Sequence, residues 1–488
     1  MTGNGKVASS RRRALAVAAA CALAVPSLAL AGGDFDGDGF DDVVVGIPNE
    51  SVDGESEAGA VAVLYFGPSG LARNQLWREG ADGLGGTPKC QDEFGRSVAI
   101  GDFDADGFDD LAIGIPGDMV AARVGAGAVV VLYGAPDGLA AARSPLFTKD
   151  SPGIPLAPSA YDGFGQSLES GDFDGDGFDD LAVGAPSSLG LAGAIHVLFG
   201  SPAGLAAAGS RVVAEPGGPV PFALFGEILR SGDFDGDGHD DLAVGLPRSP
   251  REESKEAGLV RVLFGSAAGL TADGAAEFRQ SAFPAAVDET GDRFGAGLEA
   301  ADFDGDGFDE LAIAAWQGGV GSVHVAHGSS DGLAPRATWT KAAFPGGLPA
   351  VGDFFGSSLA AADLTGDGVA DLSVGIPGAN DRRGAAALLR GGAGAGLAPL
   401  RIFPPRVLGG AVPDDLFGMS LAAGDFTGDG RADVAAGMPL DGVGSVRRAG
   451  SLTILAQPRA PMTFWHQDSP GVLDDAETGD LFGVVLGR

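Results

Sequence analysis

Apolar residues in this chain come in short runs rather than helical stripes. Val43–Ile47, Val61–Phe66, Val129–Tyr133, Ile195–Phe199, Val260–Phe264 and Val323–Val325 are rich in Val, Ile and Leu and are bounded by Gly, Pro and Asp. Runs of three to six such residues between turn signals read as β-strands. The polar positions between them also recur. The string Asp-Phe-Asp-Gly-Asp-Gly-Phe-Asp-Asp begins at Asp34, and close copies begin at Asp102, Asp172, Asp233, Asp302, Asp363 and Asp425. Phe-Gly stands about eight residues ahead of six of them, at Phe94, Phe164, Phe225, Phe294, Phe355 and Phe417. Gly-x-Pro follows at Pro48, Pro116, Pro186, Pro247, Pro377 and Pro439, and is replaced at Ala315-Trp316. A Gly-Leu turn comes later in the unit, at Gly70, Gly138, Gly204, Gly269, Gly332 and Gly396.

A unit of 61–70 residues with four short strands and no helical period matches one blade of a propeller. Seven units predict an all-β, seven-bladed β-propeller of four-stranded blades over 32–488. The ends of the chain supply the closure. Phe482-Gly483 has no acidic loop after it, and the loop at Asp34 has no Phe-Gly before it. Joined, they make one repeat, which places a C-terminal strand, Asp480 to Leu486, in the blade built from residues 34–80. Closure removes the exposed edges of an open array.

Composition narrows the function. Acids outnumber bases 66 to 31 in 488 residues, a net charge of −35. That opposes binding to nucleic acid or to anionic lipid, both of which ask for a basic face. Residues 1–31 carry Lys6, Arg11, Arg12, Arg13, an apolar run from Ala14 to Val25 and Ala29-Leu30-Ala31, with no acid. This is the pattern of a signal peptide. The expected product is secreted, at the cell surface or in the periplasm, monomeric, with no membrane span and a charge of −39. It keeps one cysteine, Cys90, and so no internal disulfide.

The acidic loops predict metal sites. In the first, Asp34, Asp36, Asp38 and Asp42 occupy positions 1, 3, 5 and 9, Gly39 permits the turn, and Phe40 offers its carbonyl from position 7. The equivalent sets are Asp102, Asp104, Asp106, Phe108 and Asp110; Asp172, Asp174, Asp176, Phe178 and Asp180; and Asp233, Asp235, Asp237, His239 and Asp241. The fifth is Asp302, Asp304, Asp306, Phe308 and Glu310, with a longer last arm. The sixth and seventh, Asp363, Thr365, Asp367, Val369, Asp371 and Asp425, Thr427, Asp429, Arg431, Asp433, have a neutral hydroxyl at position 3 and should bind more weakly. Hard oxygens in this number suit Ca²⁺ better than Mg²⁺. Position 12 is a strand residue, so the loop is not an EF-hand. Turn chemistry alone explains one or two Asp per loop, not four. Seven divalent ions would take −39 to −25.

Phe-Gly, Gly-Asp-Phe-Asp-Gly-Asp-Gly and Asp-Leu-Ala-Val-Gly-Ala-Pro, as they stand over 164–186, resemble the FG-GAP repeat of integrin alpha chains and of glycosylphosphatidylinositol-specific phospholipase D. The resemblance implies calcium loops between the first and second strands on one face of the ring and ligand binding on the other, where 248–258 and 376–384 would lie. It implies an adhesion or binding module for an extracellular protein or glycan. The alternatives are a lectin-like or polysaccharide-processing propeller, which three Tyr and four Trp do not favour, and a structural calcium-dependent surface protein. No enzyme is expected. Ser97, Ser167, Ser358 and Ser420 recur after Phe-Gly-x, unlike a unique nucleophile, and His196 and His324 occupy equivalent strand positions that read as packing. Trp316 is the best single candidate for a ligand contact.

Overall fold

The computed structural model describes residues 33–81, 83–249, 256–316, 319–403, 412–455, 463–470, 472 and 476–486. The expected signal segment, 1–31, lies outside them, as does part of 248–258. The described chain forms seven four-stranded antiparallel sheets. Blade 2 shows the pattern: Val98–Gly101, Asp110–Ile115, Ala128–Leu132 and Leu146–Thr148 pair in chain order. The first strands of successive blades approach one another, so they line the axis. The charged side chains on those strands, Glu169, Arg230 and Glu299, pair between neighbouring blades.

Blade 1 takes Val43–Ile47, Ala60–Tyr65 and Arg73–Trp77 from the start of the chain and its inner strand from the end, with Val45 opposite Leu486 and Gly46 opposite Val485. The ring therefore closes as expected, but the closing strand is only Val485–Leu486. Phe482 is not part of it. It bridges Gly450 of blade 7, because every Phe-Gly sits at the seam between blades rather than inside a strand.

Seven apolar clusters fill the seven seams, each drawn from two neighbouring blades. In Val43–Ile47, Val44 faces blade 2, while Val43, Val45 and Ile47 face blade 7. A strand covered on both sides has no polar face to alternate with. That is why the strand runs read as continuous apolar stretches. Phe35, Phe103, Phe173, Phe234 and Phe303 of the loops and every Phe of Phe-Gly are fully or almost fully buried.

Seams are stitched by backbone as well. Phe164 N–H donates to Ala126 O of the preceding blade at 3.1 Å, beside Gly127 at φ +86°, where a Cβ would stand 2.1 Å from Phe164 O. The four repeated serines donate to the carbonyl of the next Phe-Gly: Ser97 to Gly165, Ser167 to Gly226, Ser358 to Gly418 and Ser420 to Gly483, at 2.5–2.9 Å. His196 and His324 pack edge-on or tilted against Phe164 and Phe294. Burial pushes them down to about 3 and about 4, so both are neutral packing residues. Trp316 corrects an expectation. Its indole is 8% exposed and folds into the blade 5–6 core against Phe354, since the strand Glu310–Ala315 ends where other repeats turn on Pro.

Gly114 tests the seam. A Cβ there would meet Gly165 O at 2.1 Å and Ser97 Oγ at 2.2 Å, whereas one at Gly70 (φ +88°) meets nothing within 4 Å. Gly114→Ala should cost about 3 kcal/mol through overpacking, and Gly70→Ala only ~1 kcal/mol through its left-handed backbone. Chemical denaturation of both variants checks this; equal midpoints would contradict the seam account.

Candidate metal centres

In blades 2 to 7 the acidic loop joins the first and second strands; in blade 1, whose first strand comes from the C-terminal end, it leads into the second, Val43–Ile47. The carboxylates of each loop divide the work. Position 1 caps the turn: Asp34 Oδ1 accepts from Asp38 N at 3.1 Å and its Oδ2 from Gly39 N at 2.9 Å, and Asp102, Asp172, Asp302 and Asp425 repeat the pair. Asp233 and Asp363 do the same, and these two and Asp302 also take the N–H of position 4. Position 5 accepts from position 7, as Asp106 does from Phe108 N at 3.1 Å. Position 9 ties the loop to the sheet. Asp110 accepts from Phe103 N at 3.0 Å and from Gly134 N, past the third strand, at 2.8 Å.

Position 3 is different. Asp36, Asp104, Asp174 and Asp304 each leave Oδ1 buried with no hydrogen-bond partner. In three of these loops an arginine holds only the other oxygen: Arg73 on Asp36 at 2.7 Å, Arg143 on Asp104 at 2.6 Å, and Arg336 on Asp304. An unpaired buried carboxylate oxygen is costly. Asp34, Asp36 and Asp42, and likewise Asp102, Asp104 and Asp110, bring oxygens within 4.8 Å of one another. Turn chemistry accounts for positions 1, 5 and 9, but not for position 3. The donor set therefore fits a hard cation at the loop centre. In the sixth loop, Thr365 at position 3 donates its N–H to Asp371 at 2.8 Å.

The fifth loop departs further. Glu310 Oε1 bonds His327 Nδ1 at 2.7 Å, and His327 also stands within 4.8 Å of Asp304 and Asp306. His327 and His324 face opposite ways along Ser322–His327, as alternation along a strand requires.

Sequence reasoning left position 8 without a role. Its acids are seam tethers, not loop ligands. Asp109 Oδ2 accepts from Asp34 N of the preceding blade at 2.8 Å, Asp179 from Asp102, Asp240 from Asp172, and Asp41 from Asp425 across the closure at 2.7 Å. Blades 6 and 7 have Ala370 and Ala432 there and keep only the backbone bonds, to Asp302 O and Asp363 O. The position-7 side chains also reach the preceding loop. A Cβ on Gly37 would meet Phe108 at 2.6 Å, and one on Gly428 would meet Phe40 at 2.1 Å. The seven loops thus form one continuous ring.

Burial, and then the neighbouring acids, push position 9 up: Asp42, Asp110 and Asp180 to about 8, Asp241 to about 7. Burial likewise raises the tethers, Asp109 and Asp309 to about 6 and Asp240 to about 7.

Seven segments match the FG-GAP repeat, one for each blade: 28–64, 94–132, 164–198, 225–263, 294–326, 355–396 and 417–455, more than half of the chain. The chain is 33% identical over 225 residues to integrin alpha-PS2 of Drosophila melanogaster, covering 44% of this chain and 14% of that protein. It is 32% identical over 174 residues to phosphatidylinositol-glycan-specific phospholipase D of Bos taurus, covering 35% of this chain and 20% of that one. It is 43% identical over 113 residues to human integrin alpha-7, covering 21% and 9%. The chain thus spans a fifth or less of these relatives' length.

A carboxyl raised in the fold stabilises it below the unfolded value, near 4, and loses that contribution as pH rises through the folded value. For position 9 that window runs from about 4 to about 8. In excess chelator the melting temperature should fall between pH 5.5 and 8.5, and the rise on adding Ca²⁺ should grow over the same interval; a flat or rising chelated curve would contradict the burial argument. Asp109→Ala should lower stability by about 1 kcal/mol, the worth of one hydrogen bond, with no loss of bound ion, whereas Asp104→Asn should lose one ion. Ion counting by mass spectrometry separates the two.

Proposed function

Because the chain belongs to the FG-GAP repeat family, we propose that it is an extracellular binding module whose loop ring holds Ca²⁺ on one face and whose opposite face takes a protein partner. The observation that carries this is where the apolar surface lies. Among the described residues, every large exposed hydrophobic except Leu146 and Leu400 sits in a loop between second and third strands or in a connection from blade to blade. Antiparallel pairing puts all of those at the strand ends opposite the acidic loops. Tyr161, Phe222, Leu348 and Val351 are 65, 62, 81 and 85% exposed. Apolar side chains collected on one face of a ring, with the other face filled by acids, are what a protein-binding surface needs.

The ions serve this face indirectly. They offset part of the charge of the loop ring, stabilise the seams next to it, and so hold the blades that carry the binding loops at fixed angles. The segment 376–384 lies on the binding face, where Asn380, Asp381 and Arg382 all adopt left-handed backbone. Such conformations cluster at binding sites. The phospholipase relative shares with this chain a fifth of its own length, so the reading is of binding rather than catalysis.

The test is a screen of matrix proteins and glycans against the chain in millimolar Ca²⁺ and in chelator, with ion counting. About seven ions per chain are expected, the sixth and seventh sites filling last. A protein ligand should bind in Ca²⁺ and lose at least tenfold in affinity in the double variant Leu348→Asp, Val351→Asp. Binding that survives this variant but is lost on altering the loop face would reverse the assignment of faces.

A further inference from the structure

The face opposite the acidic loops repeats a second polar motif at its seams. Three positions meet there: the residue two beyond the apolar end of a fourth strand, the residue two before the next Phe-Gly, and the second residue after Pro in the next Gly-x-Pro turn. At the blade 2–3 seam these are Lys149, Asp162 and Ser188, all buried, with Lys149 Nζ 2.8 Å from Asp162 Oδ2 and 3.0 Å from Ser188 Oγ. At the blade 5–6 seam Lys341 Nζ meets Asp353 at 3.0 Å. At the closure Gln467 Nε2 donates to Glu50 at 3.0 Å. At the blade 3–4 seam the strand end is Glu215, and the usual Asp is Ala223. Where an acid takes the lysine's place there, its partner acid is gone.

The blade 1–2 seam breaks this rule. Among the described residues it alone has carboxyls at all three positions, Glu79, Asp92 and Asp118. They are 4, 1 and 7% exposed and bring oxygens within 4.8 Å of one another. Their donors are few. Glu79 Oε1 accepts from Thr87 N at 3.2 Å, Asp92 Oδ2 from Lys89 N at 2.7 Å, and Asp118 Oδ1 from Met119 N at 2.6 Å. Lys89 Nζ reaches Asp118 at 3.1 Å from the rim, its side chain 40% exposed. Glu79 Oε2 is buried with no hydrogen-bond partner. With all three carboxyls ionised against one ammonium, the buried pocket carries −2, which one divalent ion balances.

We propose that the blade 1–2 seam is a further divalent-cation site, in which an oxygen-bound ion of the Ca²⁺ class takes the place that Lys149 Nζ fills one seam along. It lies at the other end of the strands from the acidic loops, and it does not depend on their being filled. Three oxygens from three separate turns would cross-link the last strand of blade 1, the seam turn and the binding face of blade 2.

Cys90, exposed and two residues from Asp92, provides a local reporter. The full chain with Cys21→Ser, labelled at Cys90 with an environment-sensitive maleimide, is titrated with Ca²⁺ and its bound ions are counted. A saturating signal is expected. Glu79→Gln and Glu79→Lys should each shift it at least tenfold or abolish it and lose one ion, while Asp104→Asn loses one ion and leaves the signal intact. Glu79→Lys should melt above the unsubstituted chain in chelator, as the blade 2–3 seam accepts lysine. Should the Glu79 variants fail to fold, Asp118→Asn, whose amide oxygen still accepts from Met119 N, gives the same readout. The proposal is overturned if Cys90 shows no titration, if Glu79→Lys keeps the full ion count and signal, or if only Asp104→Asn removes the signal. The last result would leave the loop sites standing and this one refuted.

Discussion

A blade of this protein is apolar on both faces, and everything else follows from that. Val43–Ile47 sends Val44 into one seam and its neighbours Val43, Val45 and Ile47 into the other, so the sheet has no side it can turn to water. It must be covered twice, and a closed ring is the arrangement in which every sheet is. The seams also carry the conformational demands of the chain. Gly114 and Gly127 are glycine because the next Phe-Gly backbone lies where a Cβ would be. The serine hydroxyls between blades serve the same junction.

The acidic loops close one end of each seam, with their position-2 side chains buried beneath a rim of carboxylates. Within a loop, most of the carboxylates act as turn caps, which need no ion. The position-3 oxygen is the exception, and the proposed cation would be its partner. Between loops, the position-8 acids and position-7 side chains pass the contact on, so charge on one loop is felt by the next. Asp109 carries the effect of Asp41, Asp102 and Asp179 as well as of its own burial. In the proposed calcium-loaded ring each ion would relieve repulsion within its loop and across two seams, which would couple loading to folding.

The two faces differ in chemistry because antiparallel strands sort their connections by end. First-to-second and third-to-fourth turns share one end, and these are short and acidic or Gly-rich. The other end receives the long connections, which escape the repeat and carry most of the exposed apolar residues, nearly all the left-handed non-glycine residues and the three-carboxyl seam. Variation collects there because those segments need only cross a seam, whereas the acidic loops must keep nine positions in register.

Much was legible in the chain by itself. The strand runs, the seven units, the closure and the spacing of loop acids all act within about ten residues or repeat seven times, so local chemistry and repetition expose them. The length of the closing strand was overread, since Phe482 belongs to a seam. Trp316 was misplaced, because a residue at a strand end gives no sign of which way its ring folds. The tethers, the arginines of position 3 and the Glu79 cluster were out of reach. Asp41 and Asp425 are 384 residues apart, and Arg73 meets Asp36 only once the fourth strand is in register. The sequence determined the blade and its loop, because turns and caps are settled by neighbours along the chain. Only the tertiary structure decided which blade's carboxylate meets which blade's backbone, because those contacts exist only after seven sheets have been set at one angle and the ring has shut.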